Sequence, residues 1–363
     1  MLHALDLAKR GFSNVEPNPM VGCLILKDNQ VIAQGWHKNF GGPHAEINAL
    51  NDCREKSLDP AGSTMLVTLE PCCHHGKTPP CTQAIIDAKI KKVIIAMTDP
   101  SEKVAGKGIR QLRDAGIKVT TGTCEKQARL LNPAFIKFSK TNLPWTILKW
   151  AQTIDAKLAG STPSQRYITS EPALKDVHKT RRSAQAILVG LNTVINDDPL
   201  LTPRPAKDRK PLRIVLDNEL KIPLESKILH TPDLAPTIID TTTTSAQNNP
   251  DIVTKLKQKS AQILTLPPDE DNHCSLSDIL SHLGQLNIQR LIVEGGPTVL
   301  TSFLKQNLAD ELNIYIAPKI YASTGRADLA AALTQTIPNL TFTHHQTQLF
   351  NPDTKITTYL NLP

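Results

Sequence analysis

The chain has 363 residues, 40% of them apolar and 21% charged, with a formal net charge of +7. At roughly 150 residues per domain, that length predicts two or three domains, and the apolar content excludes a disordered chain. No apolar run reaches the roughly 18 residues of a membrane-spanning helix, and MLHALDLAKRGFSNVEPNP lacks the apolar stretch of a signal peptide, so the expected location is cytoplasmic, with no membrane partner.

Residues 1–10 read as a helix running to Gly11. Val21 to Leu26 and Val31 to Gln34 read as strands joined through Asp28-Asn29. Gly41-Gly42-Pro43 announces a helix from His44 to Asn51. Met65 to Leu69 is a strand of buried type, Thr82 to Ala88 a helix, Val93 to Ala96 a strand, Ile109 to Ala115 a helix and Ile117 to Thr121 a strand. The pattern breaks at Lys140-Thr-Asn-Leu-Pro144, the expected linker between a domain at 1–143 and another at 144–363. Beyond it Thr146 to Lys149, Ala186 to Val189, Leu212 to Leu216, Thr237 to Ile239, Leu291 to Glu294 and Leu312 to Ile316 are strand-like, with helices at 172–182 and 297–307. Gly190 to Arg204 and the Thr241–Thr244 to Pro250 stretch read as loops. Alternation of strands and helices in both halves predicts an α/β protein.

The chemistry concentrates in three pieces. His44-Ala45-Glu46 opens a predicted helix; Pro71-Cys72 follows a strand; Cys81 comes eight residues after Cys72. One imidazole and two thiolates make a three-ligand zinc set with a fourth position for water, whose pKa the metal lowers to about 7. Glu46 is two residues from His44 and so reaches the water, able to pass its proton to a leaving amine. The spacing departs from the H-x-E…P-C-x-x-C signature of zinc nucleobase deaminases, since the second gap is eight. Cys73, His74 and His75 compete locally as ligands. The seven cysteines, an odd number in a large chain, argue against a disulfide framework and for metal binding or catalysis by the cluster at 72, 73 and 81.

Pro17-Asn-Pro-Met-Val-Gly-Cys23, Gly41-Gly-Pro-His-Ala-Glu46 and Glu70-Pro-Cys-Cys-His-His-Gly-Lys-Thr-Pro-Pro-Cys81 resemble the deaminase half of the bifunctional riboflavin-biosynthesis deaminase/reductase family. The resemblance implies a cytidine-deaminase-like three-layer α/β/α domain with Zn2+ on His44, Cys72 and Cys81 and Glu46 as catalytic proton shuttle. It also implies that Asn18, His37, His74 and Lys77 line the substrate pocket. Cys73 stands where the family usually has Ser.

In the second half, LIVEGGPTVL from Leu291 to Leu300 reads as strand, Gly-Gly turn and helix, a geometry that aims backbone N–H groups at an anion. No GxGxxG is present, so a Rossmann domain is not supported. Leu148-Lys-Trp-Ala-Gln-Thr-Ile-Asp155, Tyr167-Ile-Thr-Ser170, Ile187-Leu-Val-Gly-Leu-Asn-Thr193, Asp197-Asp-Pro-Leu-Leu-Thr-Pro-Arg204 and Glu294-Gly-Gly-Pro-Thr298 resemble the reductase half of the same family. That likeness covers nearly the whole chain, with 217–285 matching least. It implies a dihydrofolate-reductase-like domain whose Ala151, Tyr167, Thr193, Asp197, Gly295, Gly296, Pro297 and Thr298 contact NADPH. Lys149, Ser164, Arg181, Leu201, Arg204 and Glu294 would contact substrate, the arginines suiting a phosphate. The family's Asp-Gly-Lys is Asp155-Ala156-Lys157 here, its Trp is Tyr167, and an insertion at 161–166 leaves the substrate-contacting serine open between Ser164 and a shifted position.

The expected activities are hydrolytic deamination of 2,5-diamino-6-(5-phosphoribosylamino)pyrimidin-4(3H)-one and NADPH-dependent reduction of the product's ribose to ribitol. Lys149, Asp197 and water stay open as the proton source of the reduction. The family likeness also implies a homo-oligomer built through the reductase domain. Two rival classes carry their own expectations. Residues 1–143 hold 19 basic and 13 acidic residues, a charge of +6 that would suit a nucleic-acid deaminase, but such an enzyme predicts a PC-x2-C pair and no cofactor domain, so nucleic acid is not an expected partner. A zinc that only staples the fold predicts a fourth protein ligand, Cys73 or His74, and no use for Glu46.

Overall fold

The computed structural model describes all residues except 74–79, 102–103, 161–167, 206–208, 271–272, 330–339 and 361–363, and the side chains of 326 and 328. The chain divides into two compact units, Met1–Thr141 and Asn142–Leu362.

The first unit begins with α1 (Leu2–Ala8), then β1 (Gly22–Lys27) and β2 (Gln30–Trp36). β1 and β2 form an antiparallel hairpin whose turn residues Asp28 and Asn29 have φ of 50° and 61°, the paired left-handed geometry that suits the twist of a two-residue hairpin. α2 (Ala45–Glu55), β3 (Thr64–Val67), α3 (Cys81–Asp87), β4 (Lys92–Ile95), α4 (Lys107–Asp114) and β5 (Lys118–Thr121) follow, and α5 (Glu125–Leu131) and α6 (Pro133–Thr141) close the unit. The sheet order is β2-β1-β3-β4-β5. Side-chain parity sorts the two faces. Cys23, Ile25, Met65 and Val67 pack with Ala45 and Ala49 of α2, Ile85 of α3 and Leu112 of α4. Leu24 and Leu66 pack with Ala4 and Leu7 of α1. Helices cover both faces, which is the expected three-layer α/β/α order. α2 lies backbone to backbone against β2 because position 35 is glycine; a Cβ there would sit 2.3 Å from Ala49 N.

The second unit runs β6 (Trp145–Thr153), β7 (Lys157–Ala159), α7 (Glu171–Ser183), β8 (Ala186–Gly190), α8 (Leu191–Asp197), β9 (Leu212–Leu216), β10 (Thr237–Thr242), α9 (Thr243–Asn248), α10 (Pro250–Gln258), β11 (Ala261–Leu266), α11 (Leu276–Gln285), β12 (Arg290–Val293), α12 (Pro297–Lys305), β13 (Glu311–Ala317), β14 (Arg326–Asp328), β15 (His344–Phe350) and β16 (Asp353–Tyr359). Nine strands form one sheet in the order β11-β10-β9-β8-β12-β6-β13-β16-β15. It is parallel from β11 to β13, with β16 and β15 added antiparallel. One face buries Leu188, Ile214, Leu291 and Val293 under α11 and α12; the other buries Ile187, Val189, Val215 and Ile239 with Val194 of α8 and Leu256 of α10. Strands buried on both faces read as continuous apolar runs, as the fully buried Ala186–Gly190 does.

Two loop expectations are corrected. Gly190–Arg204 contains α8, capped by Gly190 in extended conformation. The Thr-rich stretch ends β10 and starts α9, where the Thr242 hydroxyl accepts the Ser245 N–H as an N-cap, and Pro250 opens α10. Thr and Asn have weak interior propensity for helix but strong capping propensity, and the caps decide here.

Candidate active sites

In the first unit the donor atoms of His44, Cys72 and Cys81 all lie within 4.8 Å of one another. His44 is the N-cap residue of α2, and Cys81 is the first residue of α3. Two helix N-termini thus converge on Cys72, which sits in the segment after β3. The Cys81 N–H points at Cys72 Sγ at 3.3 Å, and the Thr82 N–H donates to the Cys72 carbonyl at 3.1 Å. His44 Nδ1 stands 3.3 Å from Cys81 Sγ and 3.6 Å from Cys72 Sγ. Two sulfurs and one imidazole nitrogen facing one point fit a divalent metal of zinc's softness, with a fourth tetrahedral position left over. The hydrogen bond from Cys81 and the His44 imidazole hold the Cys72 thiol down at about 4, while the neighbouring Cys72 pushes the Cys81 thiol up. Cys73 does not join the donor set among the described residues.

Glu46 is buried in the first turn of α2. Burial raises its carboxyl to about 7 against the opposing pull of His44, which makes it a carboxyl able to take and return a proton near neutrality. His37 packs edge-on to His44 with ring centroids 5.4 Å apart. Burial lowers the His37 imidazole. Its Nδ1 faces the Pro43 carbonyl, which can only accept, at 3.0 Å, and its Nε2 faces the Asn18 Nδ2 donor at 3.2 Å. Asn18 and His37 therefore form a hydrogen-bonded pair against His44. His74 and Lys77 lie outside the described residues. One residue of the quoted motif had been given no role. Glu70 is buried and accepts the N–H groups of Asp99 at 3.1 Å, Gly106 at 3.0 Å and Ile109 at 3.2 Å. It ties the chain just before Cys72 to the start of α4. A buried acid between a strand and a ligand cysteine is the signal that points to it.

In the second unit, a cleft of about 740 Å³ opens at the carboxyl ends of β8, β9 and β10, the side of a parallel sheet where ligands bind. Its wall includes Thr193 of α8 and Gly296, Pro297 and Thr298 at the start of α12. Gly296 is the N-cap, followed by Pro297 in the first turn. A Cβ at Gly295 would meet the Val299 side chain at 2.7 Å, whereas Gly296 faces open space. Ala151 packs beside Tyr315 and Val177. Asp197 ends α8 and is not among the residues lining the cleft. Tyr167 and Ser164 lie outside the described residues.

Glu294, directly after β12, gathers the cations. Arg181 of α7 grips it with two bonds of 2.7 Å, from Nε and Nη2, and Lys149 Nζ stands 3.9 Å away. Burial alone would raise the Glu294 carboxyl; Arg181 and Lys149 hold it at about 2. Burial lowers the Lys149 ammonium. The remaining Arg181 nitrogen, Nη1, reaches the Thr202 carbonyl at 3.4 Å. The fork expected to meet a phosphate is thus closed on Glu294. Arg204 is exposed and Leu201 is buried with a φ of 51°. His178, one turn before Arg181 on α7, was missed from sequence. Burial and the Arg181 and Arg204 charges lower its imidazole to about 4, and its buried Nδ1 has no hydrogen-bond partner among the described residues. Its i, i+3 spacing to Arg181 is the available clue.

No helix among the described residues is long and apolar enough to cross a membrane. Residues 1–97 match the cytidine and deoxycytidylate deaminase zinc-binding region, and residues 144–351 match the RibD C-terminal domain. The riboflavin biosynthesis protein RibD of Aquifex aeolicus is 46% identical over 318 residues, covering 87% of this chain and 85% of that protein. The structure of Acinetobacter baumannii RibD is 34% identical with a TM-score of 0.83, covering 99% and 97% of the two chains. That of the Thermotoga maritima diaminohydroxyphosphoribosylaminopyrimidine deaminase/5-amino-6-(5-phosphoribosylamino)uracil reductase is 33% identical with a TM-score of 0.82, again covering 99% and 97%.

Proposed function

Since the chain belongs to the RibD family of riboflavin-biosynthesis deaminase/reductases, we propose that its substrates are those named for the Thermotoga protein, taken in that order. The first unit removes the 2-amino group of 2,5-diamino-6-(5-phosphoribosylamino)pyrimidin-4(3H)-one as ammonia. The second reduces the ribosyl group of 5-amino-6-(5-phosphoribosylamino)uracil to ribityl with NADPH.

The observation that carries this reading is the buried Glu46 carboxyl beside the His44, Cys72 and Cys81 donor set. His44, Cys72 and Cys81 hold zinc, which when bound supplies the Lewis acidity that lowers the pKa of water to about 7. Glu46 accepts the water proton as its oxygen joins the ring carbon, and returns that proton to the departing amine. Asn18 and His37 line the pyrimidine pocket, and His74 and Lys77 complete it. In the second unit Thr193 and the Gly295–Thr298 turn bind NADPH, which supplies the hydride, with Ala151 and Tyr167 against it; Asp197, outside the cleft lining, is a cofactor contact on the family resemblance only. Lys149, Leu201, Arg204, Ser164 and the Arg181–Glu294 ion pair line the site of the phosphorylated substrate; because the Arg181 fork is closed on Glu294, the exposed Arg204 is the partner for the phosphate. Of the open proton sources, Lys149 is favoured, because burial makes its ammonium more acidic and Glu294 orients it. The reductase units pair copies of the chain into a homo-oligomer.

Mass spectrometry of products with and without NADPH tests both halves. Amino-to-oxo exchange without NADPH, joined by two added hydrogens with it, is the expected result. Unchanged substrate mass with and without NADPH, in zinc-replete protein, overturns the reading.

A further inference from the structure

Arg213 of β9 is 0% exposed. Its guanidinium has no carboxylate partner among the described residues; instead it holds two loops. Nη1 donates to the Leu200 carbonyl at 3.3 Å and to Thr231 Oγ1 at 2.9 Å. Nη2 donates to the carbonyls of Thr231 at 3.0 Å and Ala235 at 2.5 Å. A buried cation without a counter-charge is costly to keep, so the residue is retained against a physical penalty. What it grips at one end is unusual backbone. In the segment after α8, Asp198 has φ of 41° and the branched, buried Leu201 has φ of 51°. Such a conformation in a bulky residue persists only where its surroundings over-determine it, and it clusters at functional sites. One residue further, the Thr202 carbonyl accepts Arg181 Nη1 at 3.4 Å, and Arg181 grips Glu294. The backbone at 200–202 is therefore held between two guanidinium groups, Arg213 at Leu200 and Arg181 at Thr202.

We propose that Arg213 is a positioning residue of the reductase reaction, fixing the Leu200 carbonyl so that Leu201–Arg204 and Arg181 meet the substrate in register. The inference rests on the reading of Leu201, Arg204 and Arg181 as substrate contacts. Lysine at 213 keeps the charge but cannot span four acceptors on two loops, because it offers one ammonium in place of a planar fork. Burial lowers the Arg213 guanidinium to about 10, and it stays cationic at neutral pH.

The test uses the full-length, zinc-loaded chain with 5-amino-6-(5-phosphoribosylamino)uracil as the probe. Arg213→Lys is expected to raise the KM for this substrate about tenfold, one lost positioning interaction's worth, with the KM for NADPH, kcat and the deamination rate little changed. Arg204→Ala is measured in parallel. A rise with Arg204→Ala and none with Arg213→Lys overturns the inference and leaves the substrate assignment standing. No rise with either overturns both. A fall in kcat with both KM values unchanged in Arg213→Lys overturns positioning as its role. Should Arg213→Lys fail to fold, Thr231→Val, which removes one acceptor, is expected to raise the same KM about threefold; an unchanged KM there overturns the inference.

Discussion

Single side chains carry the sharpest consequences. Glu46→Gln keeps the shape of the deaminase site but removes the proton carrier, and deamination should fall by roughly a thousandfold, within the range of a lost general acid–base. Metal analysis of the purified variant should return the wild-type zinc content; a zinc-poor variant would mean that Glu46 supports the ligands instead. Asp240 on β10 offers a different experiment. Both its carboxylate oxygens are buried without a close hydrogen-bond partner among the described residues, and burial raises it from 3.8 to about 7 against the opposing pull of the Cys274 thiol. The unfolded chain therefore ionises first as pH rises, so the folded state loses stability between pH 4 and 7 and no further above it. Asp240→Asn removes this slope. Between pH 5 and 8 the difference in unfolding free energy should move by roughly 2–3 kcal/mol in favour of the variant, measured by denaturant titration. Parallel curves would mean that another group titrates. Ala156 shows how far sequence reading reached and where it stopped. The departure from the family's glycine was visible, but its physical meaning was not: Ala156 has φ of 62°, where a Cβ is strained. Ala156→Gly should stabilise the second unit by about 0.5–1 kcal/mol. The cluster of His44, Cys72 and Cys81 was legible because its spacing encodes chemistry. His178 and Arg213 were not, because only the fold reveals that, among the described residues, one has an idle buried nitrogen and the other has no counter-charge.

At the level of elements, the strongly periodic and apolar segments were legible, and β8, β9 and β12 differ from expectation by at most one residue at each end. The missed segments are those whose cause is local capping or an exposed surface. β15 is HHQTQLF with an almost wholly exposed pattern, so no apolar alternation marks it; its partner β16 supplies the order. α4 has a role that its amphipathic sequence does not announce. Its Gly108 lies against the segment leading to Cys72, and a Cβ there would sit 2.2 Å from the Pro71 carbonyl. Backbone must then move, and the nearest chain is the one that ends in a zinc ligand. Gly108→Ala should weaken zinc retention, seen as faster metal loss to a chelator, while reduction of supplied 5-amino-6-(5-phosphoribosylamino)uracil stays at the wild-type rate. Unchanged zinc loss would show that α4 can retreat without disturbing Cys72.

For the whole molecule, the resemblance seen in three N-terminal and five C-terminal motifs extends over the chain, as the relatives' coverage demonstrates. The stretch 217–285 was least legible, yet it supplies β10, β11 and three helices of the larger sheet layer system. Its residues pack against the sheet and line much of the cleft, Asp217, Asn218 and Thr242 among them, but no chemistry-bearing motif marks them in the sequence. The two units have separate apolar cores and separate candidate sites. Two separate cores in one chain predict two calorimetric transitions in place of one melting temperature. A ligand raises only the transition of the unit that binds it, by mass action. Zinc should move one heat-absorption peak and NADPH the other, so that one thermogram reports which half of the enzyme is loaded.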